Sequence, residues 1–135
     1  MRHKIAFVCT GNSCRSQMAE GYGKHFARFY SKDVEVYSAG TNPAKKIHPL
    51  AIRVMQEDGI DISNQYPKSL YDIPINELTL YITLCEDANE QCPNIPGLKH
   101  IHFGVEDPAR SDDIWVFRSA RDQIKRFVER LMYEW

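Results

Sequence analysis

The sequence has no excess of either charge. Its 135 residues carry 17 Lys and Arg against 18 Asp and Glu, a net charge of −1. That balance excludes the basic footprint of a nucleic-acid binder and the polybasic surface that seeks anionic lipid. Long apolar runs are missing too. Nothing approaches the roughly 20 residues of a membrane-spanning helix, so no membrane segment is expected. The apolar stretch 5–8 is broken almost at once by Thr10-Gly11-Asn12, too early for a signal peptide, and the chain reads as cytoplasmic. Cysteines spaced for zinc are absent. Zinc ligands usually come as pairs two to four residues apart, whereas six residues separate Cys85 from Cys92, and Cys9 and Cys14 share one loop. The five histidines show no ligand spacing; His100 and His102 alternate along an expected strand and read as structural. No repeat, linker or second domain interrupts the chain.

What remains is 43% hydrophobic and 26% charged, the composition of one globular domain over residues 1–135. The run 4–8 has the β-branched and aromatic bias of a strand buried on both faces. Met18, Tyr22, Phe26 and Tyr30 recur every four residues, which predicts a helix over 16–30. A second strand is expected at 34–38. A helix opens at His48-Pro49, where proline suits the first turn, and stops at Gly59. Residues 63–77 read as a short helix or irregular segment, 78–84 as a third strand, and 85–97 as a polar loop. A fourth strand spans 99–103. Ala120, Ile124, Phe127, Val128 and Leu131 mark the core face of a last helix. Alternating strands and helices predict an α/β fold with a parallel sheet covered on both faces. Sites in such sheets form at the carboxyl ends of strands, where Cys9, Cys85 and residues 104–108 would converge.

The first of these ends carries Cys9-Thr10-Gly11-Asn12-Ser13-Cys14-Arg15-Ser16. Gly11 accepts a positive φ without steric cost, and Asn12 tolerates one. A loop so wound can present successive backbone N–H groups to an anion at a helix N-terminus. Arg15 adds a planar fork of donors for two oxygens of a tetrahedral ligand. A helix N-terminus and an arginine both favour a thiolate at Cys9, and Ser16 is placed to donate a hydrogen bond to that sulfur. Cys14 reads as a small structural residue. Lys45-Lys46 reads as a solvated pair.

The loop resembles the C-x5-R-S phosphate-binding loop of the low-molecular-weight protein tyrosine phosphatases. The longer match, through Gln17-Met18-Ala19-Glu20-Gly21, resembles the thioredoxin-coupled arsenate reductases of the same fold. Tyr37-Ser38-Ala39-Gly40, Asp61-Ile62-Ser63, Thr83-Leu84-Cys85, Cys92-Pro93 and Asp107-Pro108-Ala109 continue it in order. The resemblance implies a four-stranded parallel sheet flanked by helices, and a monomer that binds arsenate, with phosphate or sulfate as mimics, on residues 10–15. It implies no bound cofactor, because two electrons come from thiols and are replaced by thioredoxin. In that relay Cys9 attacks arsenic and Asp107 protonates the departing oxygen. Cys85 then attacks the Cys9 sulfur, arsenite leaves, and Cys92 draws the disulfide to itself. Were 85–92 helical, the two Cα atoms would stand about 10 Å apart, beyond the roughly 7 Å of a disulfide, so the segment must rearrange on oxidation.

Asp107 precedes Pro108, which restricts its backbone to extended conformations, and an anion beside it would favour the protonated acid. Glu106 is its rival; the family match selects Asp107. Several reductases of this type hold potassium below the loop on residues matching Asn12, Glu20 and Ser38. A further aspartate expected near 61–63 is replaced here by Lys68, whose ammonium stands in for the cation with Glu20 as its partner, so no metal is expected. Two other functions fit part of the pattern. A phosphotyrosine phosphatase would use Cys9, Arg15 and Asp107 alone, yet Ala109-Arg110-Ser111 offers no aromatic grip after the Asp-Pro. A non-catalytic oxyanion or redox sensor would leave Asp107 idle.

Overall fold

Side-chain alternation along two central strands builds two cores. The structure, a computed structural model, describes residues 2–86 and 94–135. Strands β1 (His3–Cys9), β2 (Val34–Gly40), β3 (Leu80–Thr83) and β4 (His100–His102) form one parallel sheet in the order β2-β1-β3-β4. From β1 and β3, Ile5, Phe7, Leu80 and Ile82 enter a large core with the buried residues of all three α-helices. The alternate residues Ala6, Val8 and Tyr81 enter a smaller one with Ala39, Ile73 and Leu78. Each large apolar side chain so buried contributes about 1.5–3 kcal/mol. The expected parallel sheet is present, but the smaller core is roofed by the segment carrying 3-10 turns at Leu70–Asp72 and Ile75–Glu77 rather than by an α-helix. The two later strands are shorter than their apolar runs, because Leu78 and Phe103 pack from the flanks of the sheet.

Helix α1 (Arg15–Phe29) buries Met18, Tyr22 and Phe26 at the predicted four-residue spacing. Its Gly21 lies where a Cβ would stand 2.7 Å from Ile62, so a residue that costs a helix about 1 kcal/mol secures close packing instead. Helix α2 (Pro49–Glu57) is capped by the His48 ring, whose Nδ1 accepts from the Leu50 amide at 3.1 Å. Helix α3 (Ile114–Glu134) is capped by Asp113 and buries Phe117, Ala120, Ile124, Val128 and Met132, leaving Phe127 and Leu131 at the margin of the core. Among the described residues no helix is long and apolar enough to cross a membrane.

Candidate active site

β2 lies on one side of β1 and β3 on the other, so the chain reverses its winding at β1 and opens a crevice at the carboxyl ends of β1 and β3. The turn from β1 to α1 occupies that crevice. A strap of residues 41–48 runs beside it and takes up its carbonyls. Thr41 N donates to Cys9 O (3.2 Å), Asn42 N to Thr10 O (2.9 Å), Ala44 N to Gly11 O (2.8 Å) and His48 N to Ser13 O (3.0 Å). An anion-binding loop must keep its carbonyl oxygens away from the ligand, and the strap does this. Its approach requires Gly40, where a Cβ would stand 2.5 Å from Thr10 O. Nothing in the sequence of 41–48 announced the strap; Gly40, at the end of an apolar strand, was its one visible trace.

The left-handed turn of the loop falls on Asn12, at φ 50°, and Gly11 does not share it. Asn12 holds this conformation because its side chain is fully buried and fully bonded. Its Oδ1 accepts from Gln17 Nε2 (3.0 Å) and the Lys68 amide (2.8 Å), and its Nδ2 donates to Ser16 Oγ (2.7 Å) and Ser38 Oγ (3.0 Å). Ser16 Oγ in turn lies 2.8 Å from Cys9 Sγ. Thr10, Gly11 and Ser13 stay partly exposed at the mouth, while Cys9, Cys14 and Arg15 are buried. Burial pushes the Cys14 thiol up to about 12, which keeps it neutral and matches its structural reading. Gln17 is a site residue that sequence reasoning did not single out. It binds Asn12 and the Tyr66 carbonyl, and Gln65 binds it, so residues 65–68 are tied beneath the loop.

Arg15 is 2% exposed, and its Nη1 donates to Val105 O at 2.9 Å and to Leu84 O at 3.4 Å. Its Nη2 stands 3.8 Å from Asp107 Oδ2. Asp107 also caps the 3-10 turn Pro108–Arg110 by accepting from Ala109 N. Glu106 is exposed, so of the two rival carboxylates Asp107 is the one beside the arginine. Cys85 is fully buried just past β3, and Leu84 N donates to Val8 O, which continues the pairing with β1. Arg110 bridges at 2.8 Å to Glu86, tying the residue after Cys85 to the Asp107 segment. Cys9, Arg15, Ser16, Asp107 and Cys85 thus gather on one edge of the sheet. The expectation for Cys92 lies outside the described residues. Lys68 Nζ stands 3.5 Å from Glu20 Oε1, the partner expected for it.

A buried cysteine at a strand end, a wound loop, an inward arginine and an aspartate on a facing turn define the site of a phosphatase-like oxyanion enzyme. The chain belongs to the low molecular weight phosphotyrosine protein phosphatase family, which it matches over residues 4–134. Within that family it is similar to proteins named as arsenate reductases. One from Shouchella clausii (strain KSM-K16) is 44% identical, over 93% of this chain and 94% of its own length. A solved arsenate reductase in the phosphate binding state superposes with a TM-score of 0.82 at 34% identity, over 98% of each chain. A low molecular weight protein tyrosine phosphatase from T. tengcongensis gives the same TM-score at 25% identity, over 98% of this chain and 99% of its own.

Proposed function

We propose that this protein reduces arsenate to arsenite in the cytoplasm, as a monomer, through Cys9, Cys85 and Cys92 in turn, with thioredoxin as the reductant. Arsenate enters the loop 10–15, its oxygens meeting backbone amides and the Arg15 fork. The Cys9 thiolate bonds to arsenic, and one arsenate oxygen leaves as water with the proton of Asp107. The Cys85 thiolate then attacks the Cys9 sulfur. The sulfur–arsenic bond breaks, its electron pair stays on arsenic, and arsenic(III) departs as arsenite while a Cys9–Cys85 disulfide forms. Two thiols have supplied the two electrons, so no bound cofactor is required. Cys92 displaces Cys9 from Cys85, and a thioredoxin dithiol reduces the Cys85–Cys92 disulfide.

The observation that carries this reading is the adjacency of two buried cysteines. By the register of β1 with β3, Cys85 lies one residue beyond the position opposite Cys9. Both thiols are buried at the carboxyl end of the sheet, Cys9 as the last residue of β1 and Cys85 just past the end of β3. A phosphatase has no use for that second thiol. The names of the relatives agree with this substrate. Arg15 holds the carbonyls of Leu84, next to Cys85, and of Val105, two residues before Asp107, so one side chain serves the oxyanion loop and both partner segments.

The test offers arsenate to the protein with thioredoxin, thioredoxin reductase and NADPH, and follows NADPH oxidation. Arsenate-dependent consumption is expected; its absence would sink the proposal. Slow turnover of a small aryl phosphate, which needs only Cys9, Arg15 and Asp107, is expected beside it.

A further inference from the structure

His48 closes the strap, and every polar group it has is used. Its backbone N–H donates to Ser13 O at 3.0 Å, and its carbonyl accepts from Ala51 N at 3.0 Å. Its ring packs on Phe117, 4.7 Å between centroids, and is bonded at both nitrogens. Nδ1 meets the Leu50 amide at 3.1 Å, and Nε2 meets Asp112 Oδ1 at 3.0 Å. An amide can only donate, so Nδ1 offers a lone pair and the ring hydrogen sits on Nε2, facing the carboxylate. This is the arrangement of a neutral ring in one tautomer. It ties the start of α2 to the turn before α3, and through its own amide it holds the oxyanion loop.

Protonation cannot leave this arrangement standing. A second ring hydrogen goes to Nδ1, where it confronts the Leu50 N–H, donor against donor, and α2 loses its cap. The ring cannot turn to relieve the clash without leaving Asp112 at its other end. Relief comes from a shift of the backbone at residue 48, whose amide holds Ser13 O. Among the described residues Asp112 is the one carboxylate that meets the ring. It favours the cation, but its side chain is 76% exposed, so water screens the attraction. α2 faces the ring with the Leu50 amide and α3 with the apolar Phe117. On the loop, Cys14 beside Ser13 stays neutral, its thiol pushed up by burial to about 12.

We infer that His48 is a positioning residue whose protonation releases the Ser13 carbonyl and so weakens the hold of the loop on an oxyanion. It acts through residue 13, because a loop carbonyl freed from the strap can turn toward the anion and oppose it. Affinity is therefore full while the ring is neutral and falls as pH drops through the range in which a histidine titrates. The effect on binding rests on the loop 10–15 being the oxyanion site proposed above; the effect on the cap does not.

Sulfate is the probe, because it keeps both charges between about pH 5.5 and about 7.5, where phosphate and arsenate change theirs. Calorimetric titration is done on Cys9→Ser protein, which removes the loop thiol from the pH dependence, with and without His48→Asn. Asparagine is a strong helix cap and takes up no proton in this range. The two proteins should bind sulfate alike at the upper pH. At the lower pH the protein with His48 should bind roughly fivefold more weakly than the one with His48→Asn. In the natural chain, the NMR signals of the His48 and Leu50 amides should move together with the ring as pH falls. The Leu50 signal should stay still in His48→Asn. The same pH dependence of sulfate binding with and without His48→Asn would overturn the inference, and so would amides indifferent to the titration of the ring. Should His48→Asn fold poorly, His48→Ser, which also caps, decides by the same comparison. No sulfate binding at either pH would strike at the proposed function instead, while the amide signals would still judge His48.

Discussion

Asn12→Ala is expected to destabilise the protein by about 2–4 kcal/mol, and the sum is built bond by bond. The side chain is fully buried and uses both lone-pair directions and both hydrogens. Gln17 keeps two carbonyl partners, Asn12 O and Tyr66 O, after the truncation, so its loss is small. The Lys68 amide loses the acceptor that fixes it, at a cost of roughly 1–2 kcal/mol for a part-buried donor. Ser16 and Ser38 each lose a donor but keep an acceptor, worth together about 0.5–1 kcal/mol. Alanine must also hold φ 50°, which costs a residue with a Cβ roughly 1 kcal/mol. Ordinary domains have about 5–15 kcal/mol to lose, so the variant folds, with a Tm about 10 °C lower. Asn12→Gly forfeits the same hydrogen bonds without the left-handed penalty and should melt a few degrees above the alanine variant. Thermal scans of the three proteins in one buffer decide the matter. An alanine variant within about 2 °C of the natural protein would refute the hydrogen-bond sum, and a glycine variant no more stable than alanine would refute the backbone term.

Cys9→Ser should abolish arsenate reduction and aryl phosphate hydrolysis together, since an alcohol has no anionic form at neutral pH; retained reduction would show that another residue attacks. Cys92→Ser should release about one arsenite per protein and stop as the Cys9–Cys85 disulfide, while aryl phosphate turnover persists before arsenate is added. Single-turnover arsenite release with disulfide mapping checks this, and sustained turnover with thioredoxin would make Cys92 structural. Glu57 tests the clamp between α2 and α3: Arg118, and Arg121 beside it, hold its carboxyl at about 2 against an ordinary 4.5. A depressed carboxyl stabilises the fold above its unfolded value and loses that contribution as pH falls through the folded one. Glu57→Gln should therefore lower the Tm at neutral pH, and the gap to the natural protein should close between pH 4.5 and about 2; a gap independent of pH would refute the ionic account.

The parts of the fold that follow a period were readable before any coordinates. Met18, Tyr22 and Phe26 repeat at helical spacing because one face of α1 meets the sheet, and residues 5–8 are apolar throughout because both faces of β1 are covered. The loop from Cys9 to Ser16 was readable for another reason: its candidate chemistry is packed into eight successive residues. Residues 63–77 were not, because their structure is held by bonds to distant side chains, as between Tyr66 O and Gln17 or the Lys68 amide and Asn12, which leave no period and need no particular residue at 66 or 68 on the backbone side. The same limit explains Gly11 and Asn12. A glycine and an asparagine in sequence both admit a left-handed turn, and the choice fell to Asn12 because only its side chain could then reach four partners in the interior. Lys68 carries the point furthest. Its pairing with Glu20, 48 residues earlier in the chain, was expected from the family resemblance and stands at 3.5 Å; the bond from its own amide to Asn12 was not expected. The charged end of a side chain can be matched to a partner through a motif, but its backbone end is held by whatever the fold brings beside it, and no residue type at 68 announces the bond to Asn12.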